Sequence, residues 1–304
     1  PPTHATSATA DLIVGADGAF SALRAHMEKR ERFDYSQSSL QHGYKELCIP
    51  PVAAGAHAPF VMPPHALHIW PRGSSMMIAL PNPDGSFTCT LFWPFEAPTG
   101  QPSFASIRTG AQAAEYFARV YPDAAQIMPT LAEDFDRNPV GTMVTVRCWP
   151  WTMHDRFALL GDAAHAIVPF YGQGANASFE DCEALVDCLD RHGNDVARAL
   201  NEYQRARKPD ADAIADMALD NFVEMRDRTA HLRFRLKKKL DHLLHRIAPG
   251  AFVPLYDLVS FSTGPSAQAR ARARRQDRAI AIAVVALAVA VAGAVVATLA
   301  LQGA

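Results

Sequence analysis

One stretch constrains the fold more than any other: Leu159-Leu160-Gly161-Asp162-Ala163-Ala164-His165-Ala166-Ile167-Val168-Pro169-Phe170-Tyr171-Gly172-Gln173-Gly174-Ala175-Asn176. It reads as a buried strand over 157–160 that stops at Gly-Asp, then a glycine-broken loop, then a long helix from about Ala175. A strand end, a lone carboxylate and a helix N-terminus brought together make a site for a polar cofactor. The Asp162 carboxylate accepts hydrogen bonds from sugar-type hydroxyls. The glycines let a flat ring approach the backbone, and the free N–H groups of the helix start hold developing negative charge. Near the start of the chain, Leu12-Ile13-Val14 run into Gly15-Ala16-Asp17-Gly18, followed by Ser21 and Arg24. This is strand, tight turn and helix, the helix running to about Arg30. Taken alone, Asp-Gly fits a plain strand-to-helix turn equally well.

The Gly-Asp stretch resembles the motif of the class A flavoprotein monooxygenases that binds the ribityl chain of FAD. Its extended form, GDAAHAIVPFYGQGANASFEDC, is similar in detail to the kynurenine 3-monooxygenases. GADGAFSALR is similar to the second motif of the class, with Gly15, Asp17, Gly18, Ser21 and Arg24 all in place. The resemblance implies an α/β fold: a Rossmann-like FAD/NAD(P)-binding domain with an antiparallel substrate sheet, C-terminal helices and a transmembrane helix. It implies FAD as cofactor and NADPH as co-substrate, with O2 activated at flavin C4a and L-kynurenine hydroxylated to 3-hydroxykynurenine, a step of tryptophan degradation. No side chain is catalytic on this reading. Asp17, Asp162, Gly174, Ala175 and Asn176 would meet the cofactor, and Pro169 and Phe170 would wall the ring. The wording HGYKELCIPP, LHIWPR and MMIALPN carries the likeness further along the chain. Two other readings stay open: another class A hydroxylase or epoxidase, and an inactive membrane-anchored fragment.

Between the two motifs the pattern turns to strands, at 65–70, 76–80 and 87–92, the last alternating with β-favouring residues. Pro81-Asn82-Pro83-Asp84-Gly85 is a hairpin signal. Met76, Met77 and Phe92 read as sheet core or as lining of a substrate cavity. Helices are predicted over 104–121 and 123–131, a strand over 140–148, and a connecting turn at Pro150-Trp151 and His154-Asp155. After Asn176 the chain is helical. Phe179, Cys182, Leu185, Val186 and Leu189 share one face. Asp195 caps a helix broken near Pro209, and two more helices follow over 210–228 and 232–247. Asn221 and Glu224 lie three apart, on one helical face. Spacing alone fits a solvated stripe as well as a cavity wall. The resemblance makes Asn221 and Tyr256 substrate contacts and Glu224 a support of the pocket. The predicted partition is 1–35 partial FAD domain, 36–148 substrate sheet, 149–192 FAD domain return, 193–265 capping helices and 279–301 transmembrane anchor.

Composition excludes little else. Of 304 residues 20% are charged and the net charge is −2, so there is no global attraction to nucleic acid. Five cysteines form no CxxC pair and twelve histidines no metal spacing; reduced thiols and no metal are expected. No GxGxxG occurs. The class begins with that fingerprint, so the chain is expected to be the C-terminal part of a longer enzyme, binding FAD weakly or not at all and inactive by itself.

Residues 279–301 carry no charge over 23 positions. At 1.5 Å per residue they reach roughly 34 Å, enough to cross a hydrocarbon core. Arg270, Arg272, Arg274, Arg275 and Arg278 precede them. A basic flank before an apolar terminal run predicts a tail anchor in a lipid bilayer, with the folded part in the cytosol. The resemblance implies the mitochondrial outer membrane.

Overall fold

The computed structural model describes residues 7, 9–52, 60–226, 232–262 and 264–302. The chain opens on β1 (Ile13–Gly15) and turns into α1 (Ala22–Met27), where Ser21 Oγ accepts the Arg24 N–H at 2.9 Å. Four strands follow: β2 (Asp34–Ile49), β3 (His68–Arg72), β4 (Ser75–Pro81) and β5 (Phe87–Pro94). Three short helices come next, α2 (Gly110–Val120), α3 (Pro122–Ala125) and α4 (Leu131–Arg137). The chain returns through β6 (Gly141–Trp149), β7 (Thr152–Met153) and β8 (Phe157–Leu159). It continues as α5 (Asp162–His165), a 3-10 turn (Pro169–Tyr171), α6 (Gly174–His192), α7 (Val196–Arg226), α8 (Leu232–Ile247), α9 (Leu255–Ser260) and α10 (Ser266–Gln302).

The strands form two sheets, of order β1-β8-β7 and β3-β4-β5-β2-β6. In the first, β1 and β8 are parallel, with Gly15 opposite Leu159, although the whole second sheet, four helices and β7 lie between them along the chain. The second is antiparallel throughout. Its β4–β5 hairpin turns at the predicted place: Met76 pairs with Phe92 and Pro81 with Phe87, and Asp84 Oδ1 accepts the Ser86 N–H at 2.9 Å. Pleating sends Phe87, Cys89, Leu91, Trp93 and Met77 against Phe117, Tyr121 and Phe135 of α2 to α4. The opposite face sends Met76 and Phe92 against Phe170 and Phe222. All three residues left open by the sequence are therefore sheet core.

Four expectations are corrected. The predicted helix over 104–121 starts only at Gly110, where Thr109 and Gln112 form a capping box; that pattern is a start signal. The predicted helix over 123–131 is the short α3, and a further helix, α4, begins where it was expected to end. Pro209 does not break the next helix: α7 runs through it. Packing overrides the lost N–H, since Arg207, Lys208 and Asp210 are all tied to neighbours within a turn of the proline. The last two residues of the predicted 210–228 helix lie outside the described residues. The buried stripe of α6 is Ala177, Asp181, Leu185 and Cys188, whereas Phe179, Cys182 and Val186 are exposed. The sixteen-residue β2, hub of the larger sheet, was not singled out, because its first half is polar and exposed.

The apolar side chains described beyond Ile280 in α10 are exposed. Ile282 is 70% exposed and Val289 67%. It is the helix, among the described residues, long and apolar enough to cross a membrane.

Candidate functional site

Because β1 and β8 are neighbours and parallel, the Asp-Gly and Gly-Asp turns emerge side by side at their carboxyl ends. The Leu160 N–H donates to the Gly15 carbonyl at 3.0 Å. A cavity of about 590 Å³ opens there, lined by Ala16 and Gly18 from one turn and Gly161 and Asp162 from the other. Pro169, Gly172, Gly174, Ala175 and Ser178 also line it, with Leu160 and Ile167. Ligand sites at the carboxyl edge of parallel strands are a general property of α/β sheets.

Each wall has a local cause. Gly161 has φ +60°, and a Cβ placed on it would meet Ser178 Oγ at 2.7 Å. Asp162 follows, exposed, and makes no hydrogen bond or ion pair to the described residues. Opposite stands the start of α6, whose N-cap Gln173 makes no side-chain capping bond. The first N–H groups of that helix, on Gly174, Ala175 and Asn176, have no intrahelical acceptor. Asn176 itself does not line the cavity; its amide donates to Gln173 Oε1 at 2.9 Å. An acceptor-only carboxylate facing a cluster of free N–H groups fits a ligand with hydroxyls at one end and an anion-forming ring at the other.

Asp17 is placed differently. Its Oδ2 accepts the Ala22 and Leu23 N–H groups at 2.7 and 3.3 Å. Burial opposes its ionisation, but these bonds and one from Ser21 hold its carboxyl below the usual range. Asp17 shapes the turn, and its neighbours Ala16 and Gly18 face the cavity. Buried Arg24 ties the two motifs together, donating to the Ala163 carbonyl at 2.8 Å and to the Ala19 carbonyl at 2.6 Å.

Behind the Gly-Asp turn lies a network that sequence reading missed. Asp181, fully buried, accepts the Gly161 N–H at 3.0 Å and His165 Nε2 at 2.5 Å through Oδ2, and Arg207 Nε at 2.7 Å through Oδ1. Burial alone would raise its carboxyl; the His165 and Arg207 partners outweigh it and hold it low. Tyr203 adds a hydroxyl bond to the Leu159 carbonyl at 2.9 Å. The spacing of Asp181 four residues from Ala177 and from Leu185 becomes informative only once the structure shows that this is the buried face of α6, where an acid demands a partner.

The residues matched to substrate fall elsewhere. Phe170 is buried, packed on Phe92 and Phe222 with ring centroids 5.1 and 4.5 Å away. Asn221 donates to the Phe170 carbonyl at 2.7 Å. Glu224 and Tyr256 line a second cavity of about 550 Å³ between α7, α8, α9 and α10. Glu224 pairs there with Lys238 at 2.7 Å. Tyr256 stacks on Tyr171, centroids 6.0 Å apart, so the 3-10 turn reaches the first cavity through Pro169 and the second through Tyr171.

The profile of an FAD binding domain matches residues 3–218. The chain belongs to the FAD binding domain family. Within it, the chain is 50% identical over 263 residues to a kynurenine 3-monooxygenase of Flavobacterium psychrophilum, covering 86% of this chain and 58% of that protein. It is 48% identical over 273 residues to the kynurenine 3-monooxygenase of Dictyostelium discoideum, covering 85% and 57%. The chain thus spans a little over half the length of these relatives. Among solved structures, Klebsiella pneumoniae HpxO complexed with FAD and uric acid superposes with a TM-score of 0.58 at 20% identity, over 81% of this chain and 59% of that one. The fold is therefore the α/β FAD-binding fold with an antiparallel sheet, as predicted.

Proposed function

We propose that this chain belongs to an FAD-dependent monooxygenase that uses NADPH and O2 to hydroxylate L-kynurenine to 3-hydroxykynurenine. Identity of about half to relatives of that name supports the reading. One structural observation carries it: an Asp162 carboxylate, unpaired among the described residues, facing the mouth of α6 across one cavity.

Bound flavin supplies the oxygen activation that amino acid side chains lack. On this reading Asp162 holds the hydroxyls of the ribityl chain. The N–H groups of Gly174, Ala175 and Asn176 stabilise negative charge on the ring. Asp17 sets the turn that carries Ala16 and Gly18 to the pyrophosphate side. Pro169 closes the ring's face against water, and Phe170 holds that turn from behind. Asn221 and Tyr256 orient the amino acid end of the substrate; the Asn221 amide oxygen has no donor among the described residues. Glu224 supports the pocket through Lys238. The five-part division of the chain along its two motifs belongs to the same reading. So does a bilayer span at 279–301, with the folded part on the arginine-bearing, cytosolic side of a mitochondrial outer membrane.

The test is Asp162→Ala in the protein as it occurs at its natural length. Flavin colour is expected to be lost on purification, and kynurenine-stimulated NADPH oxidation to fall by at least about a hundredfold. Retained colour with undiminished hydroxylation overturns the reading. Faster turnover of simple phenols than of L-kynurenine by the unsubstituted protein would assign a different aromatic hydroxylase.

A further inference from the structure

We infer that the groove between α7 and the start of α10 is a binding site for the headgroup of an anionic glycerophospholipid. The groove has a volume of about 440 Å³. Its α10 wall carries Arg270, Arg274 and Arg278 at four-residue spacing, with Arg275 beside them. Arg270 is locked in place by an ion pair with Asp216, which also binds Arg147 at 2.5 Å. Arg274, Arg275 and Arg278 are exposed, and among the described residues none has an ion pair or hydrogen bond. The carboxylate in the groove, Asp212, is taken by Lys208 and lies 3.4 Å from Arg147. The groove therefore presents three guanidinium groups, on Arg274, Arg275 and Arg278, whose charge no described residue pairs.

Position selects the occupant. The floor is held by packing: Ala269 is buried against Ala213, Ile214 and Met217, and the Ala267 N–H donates to Asp210 Oδ1 at 2.9 Å. Arg278 is followed at once by the uncharged run from Ala279. The groove thus opens at the depth where hydrocarbon gives way to headgroups, and fork-shaped guanidinium groups match phosphodiester oxygens. This inference rests on the reading of 279–301 as a bilayer span.

The experiment reconstitutes the whole chain in phosphatidylcholine vesicles with or without a minor fraction of phosphatidylglycerol, then measures by mass spectrometry the lipid retained after mild detergent extraction. Phosphatidylglycerol is expected to be enriched roughly tenfold over its share of the bilayer. The variant R274Q/R278Q combined with Q268R/Q276R keeps the number of arginines beside the span but moves two out of the groove. It is expected to retain lipid in the bulk ratio while inserting normally. Undiminished enrichment in that variant means diffuse attraction and overturns the site. Displacement of the lipid by inorganic phosphate overturns the choice of a lipid occupant. A chain that inserts without lipid preference overturns this inference alone; one that enters no vesicle overturns the span as well.

Discussion

Asp181 receives the Gly161 N–H, the His165 ring and the Arg207 guanidinium on one fully buried carboxylate. It thereby sets the angle at which Asp162 leaves the strand. Replacing it by asparagine keeps the shape but leaves Arg207 with a buried charge that Glu180 and Asp210 only partly answer. Asp181→Asn is expected to lower unfolding free energy by about 3–5 kcal/mol, read from urea denaturation, and to weaken flavin retention. The pH dependence follows from its lowered folded pKa. The unfolded carboxyl titrates near 3.8. The stabilisation is fully present above that value and is lost as pH falls through the lower folded one. Acid unfolding of Asp181→Asn should therefore lack this component. Asp162 was legible because its whole surrounding motif is local in sequence. Asp181 and Arg207 were not, since each looks like an ordinary helix charge until α6 and α7 are laid together.

The two helices with contrary local signals give contrasting expectations. α2 begins where Thr109 Oγ1 accepts the Gln112 N–H at 3.3 Å and Gln112 Oε1 accepts the Thr109 N–H at 3.2 Å. Thr109→Ala should lower stability by about 1 kcal/mol and leave flavin retention unchanged, because α2 packs on the far face of the larger sheet. α7 contains Pro209 within a continuous helix. Proline in a helix interior is about 3 kcal/mol less favourable than alanine, so Pro209→Ala should raise the unfolding free energy by about 1–3 kcal/mol, seen as a higher urea midpoint. A lowered midpoint would show that the ring's own packing outweighs the missing bond. Element boundaries were legible where a cap or turn residue is local, as in the Pro81-to-Gly85 hairpin. They were hidden where tertiary ties decide, as at Pro209 and along the polar half of β2.

At the scale of the whole molecule, the proposed bilayer span makes its own prediction. Deleting residues 279–301 should move the chain from the detergent phase to the aqueous phase in a partition experiment while leaving its unfolding transition in place, since Ile282, Val284, Val285, Val289 and Val291 are exposed. The sequence by itself determined the strand-turn-helix units and the identity of the lone acid, because each is written in residues adjacent along the chain; the α/β FAD-binding fold followed from the resemblance those stretches carry. It also determined the long apolar run, which needs only composition. The tertiary structure alone decided that the two turns open on one cavity, since only the parallel pairing of β1 with β8 brings them together. It decided too that Asn221 and Phe170 lie behind the turn while Glu224 and Tyr256 line a separate cavity. A helical face names which residues point the same way; what stands opposite depends on how distant elements pack.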